Sequence, residues 1–368
     1  MNTVEQSVTA NGRLQPTPQW LENVLRERGL DVEITALSTS KVGNGLMATT
    51  ERLEVRYAHP TDAPTTFILK QTGPGEMSRR TGRRGYGFPG RPGFYATEVL
   101  FYRHVAPATS IRRPECWWSH LSAEGDEFAL LLEDIKGRPG DEQQGCTVSE
   151  AHLVMSNLAR LHAPYWNAAD TALGGRITDD EAASYKRKMA RNIEAVLGAV
   201  SGPLWEEAAP VIERFGEAAD AWLLASSRPL TLVHCDFRLD NMLFTPGQGD
   251  QTCATVDWQT VLPGSPGRDL GLVLGASMPA AMASDHLPEL LGTYRARLRE
   301  LGVTDYSADD CYDDFRWGLF HGLHNVLTIS RAVDMNERGA YLMEHWLSRT
   351  CRAISEHHAL RVLPCNDA

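Results

Sequence analysis

LTLVHCDFRLDNMLFTPGQGDQTCATVDWQ, residues 230–259, decides how the rest of the chain is read. A short apolar run, Leu230 to Val233, leads to His234 and Asp236. Asn241 follows, and Met242-Leu243-Phe244 is apolar again. After a turn over residues 245–251, a second apolar run, Cys253 to Val256, ends on Asp257. Short apolar runs bounded by turn residues predict two strands joined by a turn. Asp236, Asn241 and Asp257 carry hard oxygen donors of the kind Mg²⁺ prefers, and Mg²⁺ usually shares such ligands with substrate phosphates. His-x-Asp-x4-Asn is expected by chance only about 0.02 times in a chain of this composition, so the spacing carries information. A surface hairpin with ordinary turn carboxylates is the competing reading.

Composition narrows the partners. With 368 residues the chain is long enough for two domains or a bilobed unit. A net charge of −11 argues against nucleic acid or an anionic membrane as partner. The seven cysteines, at 116, 146, 235, 253, 311, 351 and 365, are odd in number and form no CxxC pair. Reduced thiols in a cytoplasmic protein are expected. The first residues, MNTVEQSVTANGRLQP, show no basic-then-apolar leader, and no apolar run reaches the roughly 18 residues of a membrane span.

Upstream, Thr17-Pro18 opens a helical pattern that ends near Gly29, with Thr17 as cap and Pro18 in the first turn. A strand-rich region follows, through Val32–Leu37, Leu53–Tyr57 and Thr66–Leu69. The break at Gly43, Asn44 and Gly45 could lay backbone N–H groups over a polyphosphate, and reads equally as a plain hairpin turn. Lys70 ends the third strand, and Glu98 lies in the helical stretch YATEVLFYRH. A Lys on a strand followed by a helical Glu is the order of a phosphate-binding Lys and the acid that holds it. Between them, residues 73–94 hold five arginines among many Gly and Pro, and no regular structure is expected there. This stretch reads as a solvated loop or as a flap over an anionic ligand. Phe128 to Leu132 predicts a buried strand, and the polar break after Ile135 sets the boundary between units 1–134 and 135–368.

Beyond it the pattern is helical, over residues 149–166, 180–200, 204–225, 288–301, 309–333 and 338–358. His162 falls on an apolar face and is expected to pack in the core. Asp309, Asp310, Asp313 and Asp314 make an acidic helix start, which the helix dipole favours and which could also face a cationic substrate. Phe315, Trp317, Phe320, His321, His324 and Asn325 form a core-like stripe, part of which could line a cleft.

Lys70, Glu98, the Leu131–Asp134 strand end, His234-x-Asp236-x4-Asn241 and Asp257 occur in the order found in kinases. In detail they resemble the aminoglycoside phosphotransferase and choline kinase superfamily. VDWQ followed by PGRDLGLVLGAS is similar to its ecdysteroid-kinase-like branch, and HCDFRLDNMLF resembles phosphotransferase domains fused to some acyl-CoA dehydrogenases. The resemblance covers residues 20–350 and implies an α+β, protein-kinase-like bilobal fold. A small antiparallel sheet lobe with one helix would precede a larger, mainly helical lobe. It further implies ATP and Mg²⁺ as cofactors and a small-molecule hydroxyl as acceptor, in a monomer or homodimer. On that likeness Lys70 would hold the ATP phosphates and Glu98 would orient it. Gly43, Asn44 and Gly45 would cover the phosphates, while Leu132, Glu133 and Ile135 would meet the adenine. Asp236 would be the base, Arg238 a phosphate or substrate contact, and Asn241 and Asp257 the metal ligands. His234 and Asp269 would be structural. Cys235 stands where the family has Gly, and Gln259 replaces the Gly of Asp-Phe-Gly. The acceptor reads as a partly apolar alcohol or a hydroxy acid. The alternatives are an aminoglycoside or other antibiotic, a nucleotide-binding pseudokinase without turnover, and a metal-dependent hydrolase that would leave Lys70 and Glu98 unexplained.

Overall fold

The computed structural model describes residues 13–42, 48–85, 88, 90–168, 171–199, 201–225, 228–245, 253–329 and 337–364. Gly43, Asn44 and Gly45 lie outside the described residues. The chain divides into two compact units. The first is Met1–Pro107, Arg113–Lys136 and Val256–Thr260; the second is Ala108–Arg112, Gly137–Thr255 and Val261–Ala368. A single cut after residue 134 therefore misses two short excursions. Val256–Thr260 belongs with the first unit because Trp258, fully buried, stacks on Phe101 at 3.9 Å.

The first unit is built on α1 (Pro18–Glu27) and the strands β1 (Ile34–Lys41), β2 (Ala48–Tyr57) and β3 (Thr66–Thr72). It adds α2 (Glu76–Arg84), α3 (Phe94–Leu100), β4 (Cys116–Leu121) and β5 (Phe128–Glu133). The strands form one antiparallel sheet in the order β1-β2-β3-β5-β4. Thr17 caps α1 by accepting the Trp20 N–H at 3.2 Å. The apolar stripe of α1, Trp20, Leu21, Val24 and Leu25, packs with Leu53, Val55, Phe67, Leu69 and Leu131 into one core. Strand alternation then leaves Lys70 on the opposite face of β3 from Phe67 and Leu69.

The Arg-rich stretch departs from expectation, because Glu76–Arg84 is helical. Its glycines and prolines cluster outside that span, and the one inside it, Gly82, is there for packing. A Cβ on Gly82 would meet the Tyr95 ring at 2.2 Å, and one on Gly93 would meet the Arg83 carbonyl at 2.1 Å. Close approach of α2 to α3 requires both glycines.

The second unit begins with β6 (Arg138–Pro139) and α4 (Val148–His162), then α5 (Asp179–Ala199), α6 (Pro203–Glu217), α7 (Ala219–Leu224) and β7 (Thr231–Val233). β8 (Met242–Phe244), β9 (Cys253–Thr255), β10 (Leu262–Gly264) and α8 (Gly267–Leu272) follow. α9 (Ala280–Glu300), α10 (Ala308–Gly318), α11 (Phe320–Ile329) and α12 (Glu337–Glu356) complete it. β8 pairs with β9 and β6, and β7 with β10, so the quoted stretch supplies three of the five strands in the two short sheets of a mainly helical unit.

Three helices differ from their expected bounds. The pattern over 204–225 breaks at Ala218, and α9 starts at Ala280 with Pro288 inside it. The pattern over 309–333 breaks between α10 and α11. There a Cβ on Gly318 would fall 1.5 Å from the Gly267 carbonyl oxygen, and one on Gly271 2.0 Å from the Gly318 carbonyl carbon. Backbone approach of α8 to α10 at these glycines explains the break. No helix among the described residues is long and apolar enough to cross a membrane.

Candidate active site

In the first unit Lys70 Nζ lies 2.7 Å from Glu98 and 2.8 Å from Asp257. Glu98 is 1% exposed, so its carboxylate depends on that ammonium for neutralisation. Burial alone would pull the Lys70 pKa down; the carboxylates of Asp257 and then Glu98 reverse this and hold it above its ordinary value. Burial pushes Glu98 up against the pull of Lys70, with Asp257 adding to the rise. One cation thus serves two anions, and the second anion is a group that a bound cation could claim. Asp257 sits at φ 69, a left-handed conformation that Asp tolerates better than most residues, and Gln259 donates to its other oxygen at 3.4 Å. Leu132 and Ile135 are buried at the end of β5. The Glu133 N–H is engaged with the Glu115 carbonyl at 2.8 Å, so this donor is not free to meet a base. Asp134 takes Arg52 at 2.8 Å.

In the second unit β7 delivers His234 and the loop that carries Asp236. Arg238 Nε donates to one Asp236 oxygen at 2.9 Å, and Asn241 Nδ2 donates to the other at 2.7 Å. The same Nδ2 also donates to the Asp236 carbonyl at 2.9 Å. With its nitrogen so occupied, Asn241 presents Oδ1, the atom a hard cation would take. Among the described residues no three His, Cys, Asp or Glu side chains gather as a metal site. Mg²⁺ bound with a nucleotide needs no more than one or two carboxylates beside the phosphates.

The loop is held from beneath by Asp269, which is fully buried. Its carboxylate accepts the backbone N–H groups of His234 at 2.7 Å and Cys235 at 2.9 Å, and lies 3.1 Å from His162 Nε2. Burial alone would raise its pKa; the His162 hydrogen bond, with the charge and hydrogen-bond contributions of His162 and His234, holds it below the ordinary value. Cys235 needs that hold, since its φ of 62 lies in the region that favours glycine. His234 Nδ1 accepts the Asp236 N–H at 3.2 Å, which fixes the step from β7 into the loop.

Two carboxylates at this site carry no local sequence signal. Glu142 lies 3.8 Å from Arg238, and Asp240 3.1 Å. Trp346 Nε1 donates to Glu142 at 2.7 Å, and the Arg238 guanidinium sits over the Trp346 ring at 5.5 Å. Burial tends to lower the Arg238 pKa, but Asp236, Glu142 and Asp240 together raise it. With three carboxylates around one guanidinium, the most buried of them takes up the strain. Burial, opposed by Arg238 and aided by Asp240, pushes Glu142 up to about 7.

Three of the four acidic residues at the start of α10 are engaged within the unit, and Asp309 is exposed. Ser307 and Asp310 form a capping box, Asp313 pairs with Arg316 at 2.5 Å, and buried Asp314 takes Arg228 at 2.9 Å and the Tyr306 hydroxyl at 2.7 Å. In the stripe that follows, Phe315 and Phe320 are core, while His321 and His324 stack beside Trp222 of α7 at ring distances of 6.0 and 6.1 Å.

A strand-rich unit with a Lys–Glu pair and a helical unit with an Asp-bearing loop is the protein-kinase-like arrangement. A profile of the phosphotransferase enzyme family matches residues 56–309, and the chain belongs to that family. No curated protein matches it. Among solved structures, it is similar to an ethanolamine kinase of Plasmodium vivax at 11% identity and TM-score 0.54, covering 95% of this chain and 94% of that one. A microcompartment-associated aminopropanol kinase matches at 14% identity and TM-score 0.53, over 93% and 99% of the two chains. An aminoglycoside 2'-phosphotransferase-IIIa mutant, in its GDP complex, matches at 11% identity and TM-score 0.55, over 93% and 98%. These likenesses establish the kinase-like fold.

Proposed function

We propose that the chain is an ATP- and Mg²⁺-dependent phosphotransferase acting on a hydroxyl of a small molecule, a partly apolar alcohol or a hydroxy acid. The observation that carries this reading is the Asp236 carboxylate, oriented through both oxygens by Arg238 and Asn241 on a loop tied down by Asp269. The acceptor oxygen attacks the terminal phosphorus, the bond from that phosphorus to the bridging oxygen breaks, and ADP leaves. The hydroxyl proton passes to the Asp236 carboxylate. Lys70 binds nucleotide phosphates, and Glu98 keeps it charged and placed. Asn241 Oδ1 and the Asp257 carboxylate are the groups that would hold Mg²⁺, and the ion would draw negative charge off the phosphates. Such a transition state needs little covalent help, so positioning and charge neutralisation supply most of the rate.

Support for a small-molecule acceptor comes from the family and from structures whose proteins are described as small-molecule kinases. Support for nucleotide use comes from the same fold seen in a ternary complex with ADP and hygromycin B at TM-score 0.50. A polycationic acceptor is disfavoured, because Asp310, Asp313 and Asp314 already serve a cap or an arginine. A phosphate-transfer screen over hydroxy acids, sterols, amino alcohols and antibiotics tests the reading, with Asp236→Asn as control. Transfer to one class that the control lacks is expected. Intact Mg²⁺-ATP binding with no transfer to any class would mean a binding protein instead.

A further inference from the structure

Arg268, the first turn of α8, is 4% exposed, yet among the described residues no carboxylate pairs with it. One of its terminal nitrogens, Nη2, is buried with no hydrogen-bond partner. Its guanidinium lies over the face of Trp222, at 4.7 Å. The adjacent Asp269 makes no direct ion pair with it, since both Asp269 oxygens are taken by His234, Cys235 and His162. An unpaired buried guanidinium is among the costlier features a fold can keep, and it is normally kept for an anion.

The same Trp222 ring is shared by His321 and His324, whose rings lie 5.3 Å apart. His321 Nε2 is 2.8 Å from the Cys235 carbonyl, which can only accept, so Nε2 carries the proton. Its Nδ1 is then a lone pair, and it too is buried without a partner. Burial first, and the Arg268 charge second, press the His321 pKa down to about 4 and keep the ring neutral. His324 Nδ1 lies 2.8 Å from the Tyr185 hydroxyl and 3.5 Å from the Thr328 hydroxyl; in the tautomer where these hydroxyls donate to Nδ1, Nε2 carries the ring proton and is a second donor. Burial, then His321 and Arg268, hold His324 well below its ordinary pKa. The cluster therefore holds a fixed cation and a neutral N–H, both donors, beside one orphan acceptor. Through the Cys235 carbonyl it is attached to the residue that precedes Asp236.

We propose that Arg268 and His324 form the carboxylate subsite of the phosphate acceptor, with His321 Nδ1 accepting a hydroxyl or other donor of the same molecule. This rests on the phosphotransferase reading and narrows it, because it selects a hydroxy acid over a neutral or cationic alcohol. Arg268 presents its charge through a planar fork suited to a carboxylate.

The test uses thermal-shift and calorimetric titration of the full chain near neutral pH with lactate, glycerate and mandelate. Their methyl esters, glycerol and ethanolamine serve as uncharged or cationic controls, and Mg²⁺-ATP is titrated in parallel. At least one acid is expected to bind about tenfold or more tighter than its methyl ester. That preference should vanish in Arg268→Met. The melting temperature of Arg268→Met without ligand should equal or exceed that of the native chain, because a buried unpaired charge has been removed. If the native chain binds Mg²⁺-ATP but does not distinguish acids from esters, the subsite is refuted whatever the variant does. A variant that keeps the full preference refutes it as well. If acids bind through Arg268 and Mg²⁺-ATP does not bind, the subsite stands and the phosphotransferase reading falls.

Discussion

Replacing Asp269 by Asn changes one atom at the centre of the loop that carries Asp236. The ionised carboxylate accepts three donors: the amides of His234 and Cys235 and His162 Nε2. An Asn has one accepting oxygen and one donating nitrogen. The less costly amide orientation keeps the oxygen toward His234 and His162 and turns Nδ2 toward the Cys235 N–H, donor against donor. That amide is then orphaned in a site with no exposure, at about 1–3 kcal/mol. The two surviving bonds lose their charge assistance, roughly another 1 kcal/mol each. The sum is about 3–5 kcal/mol, the range seen when one partner of a buried charged pair is removed. Cys235, held at φ 62 by this contact, loses its restraint, so turnover should fall along with stability. Urea unfolding at neutral pH measures the first effect and single-turnover phosphate transfer the second. The Asp269 pKa lies below its ordinary value, so its contribution is present above that value and is lost as the pH falls through the folded one. The native–variant difference should accordingly shrink in acid. A loss under about 1 kcal/mol, or a difference that grows in acid, would refute this account of the loop.

Three further outcomes are expected. Lys70→Met strands Glu98, so stability should drop by about 3 kcal/mol and recover most of it in Lys70→Met/Glu98→Gln; plain additivity in urea unfolding would contradict the pairing. Glu142, raised from 4.5 to about 7, favours its protonated form on folding. Its contribution is full below pH 4.5 and lost as the pH rises through 7, about 3 kcal/mol in all. Glu142→Gln should therefore gain on the native chain between about pH 5 and 8, and parallel stability curves would count against the buried-carboxylate reading. Cys235→Gly relieves a left-handed residue of about 1 kcal/mol and should stay folded, whereas the β-branched Cys235→Val should lose more than about 2 kcal/mol; equal melting temperatures would contradict the strain at this position.

Much of this was legible in the chain, for reasons that differ by residue. His234, Asp236, Asn241 and Asp257 lie within one short stretch of sequence, so spacing alone brings them to notice. Lys70 and Glu98 are far from them, yet each sits in a recognisable place, an apolar strand and an apolar-faced helix, although β3 runs past Lys70 to Thr72 and does not end on it as expected. The sheet unit followed by a helical unit could be read from the switch in periodicity, and the kinase-like fold has that order. What could not be read depends on packing between distant segments. Glu142 reaches the loop that carries Asp236 across 98 residues, where its N–H donates to Asp240 at 3.1 Å. Nothing about a Glu in a polar, Gly-rich break marks it as 3% exposed. Arg268 stands in the motif as an ordinary helix-start residue, and that no carboxylate among the described residues pairs with it appears only when Trp222 and His321 are placed around it. His162 looked like a core histidine; it is one, and it also supports Asp269. Helix breaks at Gly318 were hidden because close backbone approach to Gly267 leaves no periodic trace.

The proposed role of Asp236, taking the hydroxyl proton in phosphoryl transfer, has a direct kinetic readout. Transfer from Mg²⁺-ATP to the acceptor found by screening should be timed in single turnovers for the native chain and Asp236→Asn, with ATP affinity measured on both. The variant should transfer phosphate slower by on the order of 10²- to 10⁴-fold, with ATP affinity little changed. A variant that transfers phosphate at the native rate would contradict it.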